Sequence, residues 1–348
     1  MRMCINEIHC TKLVLFIYFY GVQSPLKILI VRFSSIGDIV LTTPVLRNLY
    51  KQTNCEIHYL TKDVYRSILK NNPYVKKIFG IKSSTYEVVN QLREEKYDYI
   101  IDLHNNIRSN IITTKLNVIT KRYLKGNINK LMYIYIGVNF LDNRHVVDRY
   151  MHTIKFLGVI NDNKGLDYFV EKKDIVDFNT DQKYISWCIG ATYQNKKLPI
   201  DKIISVSEKM SAPIVLLGGS EEVSRAEKII NESQNKNIYN FCGVTTINQS
   251  AYLIKKSRLV LTNDTGMMHI GAAFKKPIIS FWGCTKPALG FSPYQNNNKS
   301  IFIVGKNSQR ACSKHGKECR NRKGSCIENL SVEEIINAYN IIAKEIKL

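Results

Sequence analysis

The sequence predicts an α/β protein built on doubly wound parallel sheets, and three observations carry that prediction. Short apolar runs recur along the chain, separated by segments of helical periodicity, the pattern of parallel strands joined by crossover helices. One stretch, Leu259–Gly283, holds a whole unit: an apolar run at Leu259–Leu261, a turn at Asn263-Asp264-Thr265-Gly266, a short apolar helix from Met267 to Phe274, a break at Lys275-Lys276-Pro277 and a second strand at Ile278–Trp282. The chain has 348 residues, enough for two domains of ordinary size.

Taken in order, the chain opens on an apolar run, Leu13–Val22, about half the length of a bilayer span. No small-residue cleavage site follows it, so residues 1–25 are expected to be an extension outside the fold. Ile28–Phe33 is a continuous apolar strand and Ser34–Asp38 its turn; a helix restarts at Pro44 with Thr43 as its cap. Alternation continues through strand Glu56–Leu60, helix Val64–Lys70, strand Val75–Ile81, helix Thr85–Glu95 and strand Tyr97–Leu103. The polar stretch Gly158–Gln182 is the expected connection between domains. A second alternating series starts at Tyr184–Ile189. It runs through Ile214–Leu217, a Ser220-capped helix, Tyr239–Cys242 and a helix from Thr246 to Lys256, before the Leu259–Gly283 unit. Ser331 caps a last amphipathic helix. The expected domains are therefore 26–170 and 171–330, with a C-terminal helix at 331–348.

Composition bounds the function. With 45% hydrophobic and 23% charged residues the chain is globular. Fifty Lys and Arg against 29 Asp and Glu give a net charge of +21, which favours anionic partners. The basic residues are spread and no nucleic-acid motif is present, so a nucleic-acid-binding role is disfavoured. No Gly-x-Gly-x-x-Gly follows a predicted strand, which disfavours an NAD-dependent oxidoreductase. Nine scattered cysteines suit a reducing cytosol. Cys312-x₂-His315-x₃-Cys319-x₆-Cys326 contains zinc-ligand types at irregular spacing within a basic run; a basic surface loop is the expectation, and no metal ligand is assigned.

Two blocks carry more than periodicity. Asn263-Asp264-Thr265-Gly266-x-x-His269-x-x-Ala272-Ala273-x-x-x-Pro277, ending in Trp282-Gly283, resembles the nucleotide-sugar signature of glycosyltransferase family 9, the heptosyltransferases of lipopolysaccharide core assembly. Arg32-Phe33-Ser34-Ser35-Ile36-Gly37-Asp38-Ile39-Val40-Leu41-Thr42-Thr43-Pro44 resembles that family's N-terminal motif. The resemblance implies a GT-B fold, two Rossmann-like doubly wound domains facing a central cleft. It also implies an inverting transferase that moves a sugar from a nucleotide-diphosphate donor, ADP-heptose, onto an anionic glycolipid acceptor. That places the protein in the cytoplasm, peripherally at the inner face of the inner membrane. A single larger Rossmann-like domain with a lid is the alternative fold, and another nucleotide-hexose the alternative donor.

Such a transfer needs a base for the acceptor hydroxyl and positive groups for the departing diphosphate. The resemblance puts Asp38 in the base position, where its bland alternative is a helix-capping carboxylate. Ser35, Gly37, His104 and Arg108 lie at strand ends on the expected acceptor side. Thr192 and Lys196 follow a strand in Gly190-Ala191-Thr192, and the resemblance gives Lys196 the diphosphate, with neighbouring Lys197 as its competitor. Asp264, Thr265 and Gly266 open a helix whose free N–H groups suit an anion, and His269 lies on the same helix face. Glu222, in the first turn of a helix, is placed for ribose hydroxyls or for the helix dipole alone. None of the thirteen aspartates form Asp-x-Asp, the usual metal clamp for such donors, so no cofactor or metal is expected in the chemistry.

Overall fold

The computed structural model describes residues 24–82, 86–142, 144–295, 300–305, 310–321 and 324–348. The apolar run Leu13–Val22 and most of the expected extension lie outside those residues. The first half is a five-stranded parallel sheet: β1 (Leu26–Val31), β2 (Cys55–Lys62), β3 (Lys77–Ile81), β4 (Tyr99–Asp102) and β5 (Thr120–Arg122), in the order β3-β2-β1-β4-β5. Its helices are α1 (Ile36–Val40), α2 (Thr43–Gln52), α3 (Tyr86–Glu94), α4 (Ile107–Leu116), α5 (Asn127–Tyr135) and α6 (Val146–His152).

The second half is a six-stranded parallel sheet: β6 (Ile185–Cys188), β7 (Ile214–Leu217), β8 (Ile238–Asn240), β9 (Leu259–Asn263), β10 (Ile278–Trp282) and β11 (Ser300–Val304), in the order β11-β10-β9-β6-β7-β8. It carries α7 (Ile200–Ser207), α8 (Val223–Glu232), α9 (Ile247–Lys256), α10 (Gly266–Ala273) and α11 (Val332–Ile346). The central strands are continuous apolar runs because helices cover both faces; Ile28–Val31 and Leu259–Leu261 are fully buried.

Both sheets reverse their strand order at one place, between β1 and β4 in the first and between β6 and β9 in the second. A crevice opens beyond the carboxyl ends of strands at such a point, and ligands of open α/β sheets bind there. Each predicted site residue except Glu222 follows one of these four strands: Ser35, Gly37 and Asp38 after β1, His104 and Arg108 after β4, Thr192 and Lys196 after β6, and Asp264–His269 after β9. Glu222 follows the neighbouring β7.

Several local expectations need correction. Val64–Lys70 is not an α-helix but a 3₁₀ segment, Asp63–Ile68. The cap of α2 is Thr42, with Thr43 already helical and Pro44 in the first turn. Ser220 does not cap α8; Ser220–Glu222 is a 3₁₀ turn whose preceding residue, Gly219, donates its N–H to Glu222 Oε2 at 3.0 Å. The sequence pattern also left α4, β5, α5, α7 and β11 unassigned. In α4 apolar and polar residues are mixed, and its start is set by Asn106, whose side chain accepts from Ser109 N. Thr120–Arg122 is a short polar edge strand.

Within the polar stretch after α6, Arg47 of α2 binds Asp162 at 2.8 Å and also pairs with Asp167. Helix α11 starts where Ser331 accepts from Glu334 N, and buries Ile335, Ala338, Tyr339 and Ile342 in the core of the second sheet. Among the described residues no helix is long and apolar enough to cross a membrane.

Candidate active site

A cavity of about 860 Å³ lies between the carboxyl edges of the two sheets, a size suited to a small organic ligand. Helices α1 and α10 pack against each other across it, bringing the turns after β1 and β9 together.

On the first side Arg32 organises the turn. Its Nε donates to the Ser34 carbonyl at 2.8 Å, its Nη1 to the Leu103 carbonyl at 2.7 Å and to Tyr150 Oη at 3.0 Å. Its Nη2 meets Asp38 Oδ1 at 2.7 Å. Asp38 Oδ2 accepts from both the backbone N–H and the hydroxyl of Ser35, each at 3.1 Å. Burial pushes the Asp38 carboxyl up, but the Arg32 charge and the Ser35 bonds outweigh it and hold the pKa below the ordinary aspartate value. Asp38 is thus both a capping carboxylate and a cavity-lining one, 22% exposed. His104 also lines the cavity, after a turn pinned by Asp102, whose Oδ1 accepts from His104 N and Asn105 N at 2.9 and 2.7 Å. Burial, then the Arg32 and Lys125 charges, push His104 down to about 3, so its ring is neutral near pH 7.

On the second side Lys196 Nζ meets Asp264 Oδ2 at 2.7 Å, and Thr285 Oγ1 donates to the same oxygen at 2.7 Å. Lys196, Asp264, Thr265, Gly266 and Thr192 all line the cavity. Thr265 is the N-cap residue of α10 and makes no side-chain cap bond. Glu222 is buried at the cavity wall and accepts from Lys197 Nζ at 2.7 Å. It packs so closely on Gly190 that a Cβ there would lie 2.9 Å from the Glu222 carboxyl carbon. Lys197 is absent from the cavity lining, so the geometry separates the two lysines: Lys196 faces the cleft and Lys197 holds Glu222. His269 is buried in the wall, pushed down to about 4 by burial and then by His145.

Of the predicted residues, Arg108 is the one the structure leaves outside; it is exposed on α4 and does not line the cavity. The sequence pattern missed the basic end. Lys125, Lys130 and Lys314 line the cavity beside Arg32, and Lys286 borders it from the second sheet. Lys130 is buried, and burial followed by the Arg149 and Lys314 charges pushes its pKa down to about 7. Nothing in their local sequence marks these lysines among fifty basic residues; only Arg32, inside a quoted motif, carried a signal.

The segment 312–326 is not simply a basic surface loop. Cys312 and Cys326 are buried, and their sulfurs cluster with those of Cys319 and Cys284. His315 is not in this cluster and lines the cavity instead.

Two parallel α/β domains with a ligand-sized cleft between their strand ends define the GT-B fold. Comparison with known proteins narrows the class. The profile described as Glycosyltransferase family 9 (heptosyltransferase) matches residues 85–323, and the chain belongs to that family. Lipooligosaccharide heptosyltransferase 2 of Haemophilus influenzae is 25% identical over 293 residues, covering 75% of this chain and 84% of that protein. The glycosyl transferase family 9 structure from Veillonella parvula superposes with a TM-score of 0.77 at 21% identity, over 94% of this chain and all (100%) of the other. The E. coli ADP-heptose lps heptosyltransferase II gives 0.71 at 18%, over 93% and 100%.

Proposed function

We propose that the protein is an inverting heptosyltransferase that moves heptose from ADP-heptose onto a lipopolysaccharide core or related anionic glycolipid. The observation that carries this is the meeting of Asp38 from one domain with Lys196 and the start of α10 from the other in one cavity. The names of the relatives support the sugar and the acceptor class.

In the proposed reaction the donor diphosphate lies against Lys196 and the free N–H groups at Thr265–Gly266. Glu222 faces the nucleoside end and accepts from ribose hydroxyls. The acceptor enters from the side of Ser35, Gly37 and His104. Its hydroxyl loses a proton to Asp38 as its oxygen bonds the anomeric carbon. The bond from that carbon to the diphosphate breaks on the opposite face, so the centre inverts and ADP leaves. Lysine and helix-terminal charge supply the stabilisation that a divalent ion supplies elsewhere. Lys125, Lys130 and Lys314 form a basic wall suited to the phosphates of the acceptor.

The acceptor's lipid implies a membrane surface, and the proposal places the protein peripherally at the inner face of the inner membrane. Helix α5 supports this: it buries Lys130, Tyr133 and Ile134 and presents Ile128, Leu131 and Tyr135 outward. The test is a donor panel of ADP-heptose and ADP-, UDP- and GDP-hexoses with a heptose-deficient glycolipid acceptor, followed by mass spectrometry. A product heavier by one heptose, with ADP released, is expected. Turnover with a hexose donor alone would overturn the sugar assignment.

A further inference from the structure

Four cysteines from two separate segments meet beside the cleft. Cys284 follows β10, and Cys312, Cys319 and Cys326 follow β11. All four sulfurs lie within 4.8 Å of one another. Cys312 Sγ is 3.6 Å from Cys326 Sγ, and Cys319 Sγ is 3.7 Å from it. These separations are far beyond a disulfide bond of about 2.05 Å. They match the edge of a tetrahedron around a metal: with a metal–sulfur distance of about 2.3 Å, the sulfur–sulfur edge is about 3.8 Å. Chance packing of four small apolar groups has no reason to bring every pair so close. The two segments are also tied through their backbones, the Cys312 N–H donating to the Cys284 carbonyl at 2.8 Å.

We propose that Cys284, Cys312, Cys319 and Cys326 form a closed tetrathiolate site for one tetrahedral ion, zinc or iron, with a structural role. Four protein ligands leave no open position for substrate, so the ion takes no part in the sugar transfer. Cys284, Cys312 and Cys326 are buried and Cys319 is half-buried, which shields the site from solvent. Four thiolates around a divalent ion carry a net charge of −2, and the buried ammonium of Lys286 lies within electrostatic reach of all four sulfurs.

The site braces the wall of the cleft. Thr285 and Lys286 adjoin one ligand, and Lys314 and His315 lie between two others; all four residues line the cavity. The same loop reaches the first domain, where Lys314 Nζ donates to Asn127 Oδ1 at 2.6 Å and the Arg320 guanidinium lies 4.1 Å over the Tyr135 ring. Both contacts are on α5. Fixing the loop at three points to Cys284 therefore fixes a bridge from the second sheet to the helix that carries Lys130.

The experiment is elemental analysis of the full chain purified without chelator, with visible absorption spectroscopy and native thiol titration. About one ion of zinc plus iron per chain is expected. Iron would show thiolate charge-transfer bands; zinc would be colourless, and exchange with Co²⁺ would give tetrahedral thiolate bands. Cys326→Ser should lose most of the metal while Cys55→Ser, remote from the cluster, keeps it. If Cys326→Ser fails to fold, the metal content of the unmodified chain still decides. Folded protein with negligible zinc and iron, and with these four cysteines as reactive thiols or in a disulfide, would overturn the proposal.

Discussion

Gly37 and Gly266 stand back to back across the domain interface. A Cβ on Gly37 would lie 2.7 Å from His269 Cδ2 and 3.2 Å from Gly266 Cα; one on Gly266 would lie 2.7 Å from Ile36 Cβ and 2.9 Å from Gly37 N. Each motif thus needs a glycine because side-chain and backbone atoms of the other motif fill the space. The contact sets how closely Asp38 approaches the start of α10. Gly266→Ala meets a branched side chain at its root and a backbone nitrogen, neither of which can swing away. It should destabilise by about 1–3 kcal/mol and, by misplacing the two halves, reduce turnover by up to about 10²-fold. Gly37→Ala meets mainly the His269 ring and should be milder on both counts. Thermal melts and steady-state kinetics of the two variants check the order; equal, negligible effects would show that this contact does not set the approach of the two halves.

Asp38→Asn should keep the fold and donor affinity and lower turnover by about 10²–10⁴-fold, the range for a lost general base. The pH profile tests the same residue more sharply. Because Arg32 and Ser35 hold Asp38 below the ordinary aspartate value, activity should fall on the acid side only beneath that value. Arg32→Met removes the cation and leaves burial opposed by the Ser35 hydrogen bonds alone, so the acid limb should move to higher pH. The stability sign agrees: a depressed carboxyl stabilises the fold above the unfolded pKa, and that contribution is lost as pH falls through the folded one. An acid limb unmoved by Arg32→Met would show that another group titrates.

Lys196 and Lys197 are adjacent in sequence and meet different partners, Asp264 in the cavity for Lys196 and the buried Glu222 for Lys197. Lys196→Ala should weaken ADP binding by about 10–100-fold, the scale of a lost hydrogen bond to a charged group. Lys197→Ala should change ADP affinity little directly and lower the melting temperature, because it leaves the buried Glu222 carboxylate without its cation. Calorimetric titration with ADP and thermal melts separate the two; the reverse pattern would move the diphosphate to Lys197.

Lys130 should make acceptor binding pH-dependent. Burial, then Arg149 and Lys314, lower it to about 7. Between that value and its unfolded value the folded chain binds fewer protons, so stability rises with pH through the window. An anion placed against Lys130 favours the ammonium and raises its pKa. Binding of a phosphorylated acceptor fragment at pH 7–8 should therefore take up a proton and weaken as pH rises. Titrations in buffers of different ionisation enthalpy measure that proton, and Lys130→Met should abolish it.

The legible parts of the sequence were those where chemistry and local order coincide. Ile214–Leu217 and Ile278–Trp282 appear as strands at the expected bounds because both are fully buried apolar runs closed by glycine or a turn. Asp38 and Asp264 were legible from motifs that a short turn keeps intact. Features that depend on two distant segments were not. Lys125, Lys130 and Lys314 become a wall only when α5 and the 312–326 loop meet across the cleft. Cys284 lies in a separate segment from the Cys312–Cys326 run, so the run's spacing offered His315 beside the three cysteines, whereas the structure brings Cys284 to them and leaves His315 at the cavity. The polar strand β5 has no apolar run to reveal it, since among the described residues it pairs with β4 alone, at the sheet edge.

The outward face of α5 sets the last prediction. Ile128, Leu131 and Tyr135 recur at helical spacing and are 74%, 50% and 60% exposed, with Leu124, Ile136 and Phe140 exposed at either end of the helix. The exposed Lys121 and Arg122 precede this group, and the opposite face buries Lys130 at the cavity. An apolar stripe flanked by cations suits an anionic lipid surface, the alkyl groups entering the interface and the cations meeting headgroups. A membrane seated there would deliver a lipid-linked acceptor to the basic end of the cleft. The chain should therefore co-sediment with vesicles containing anionic lipid and much less with neutral ones. Ile128→Glu combined with Leu131→Glu should weaken that association while leaving ADP affinity unchanged, since neither residue lines the cavity. Exposed charges separated by more than about 8 Å are largely screened at physiological salt. Rising salt should thus reduce vesicle binding more steeply than ADP binding, leaving a residue that only the double substitution removes. Vesicle binding insensitive to both salt and the substitutions would assign the membrane contact to another face, and no vesicle binding at all would leave acceptor recognition to the cleft alone.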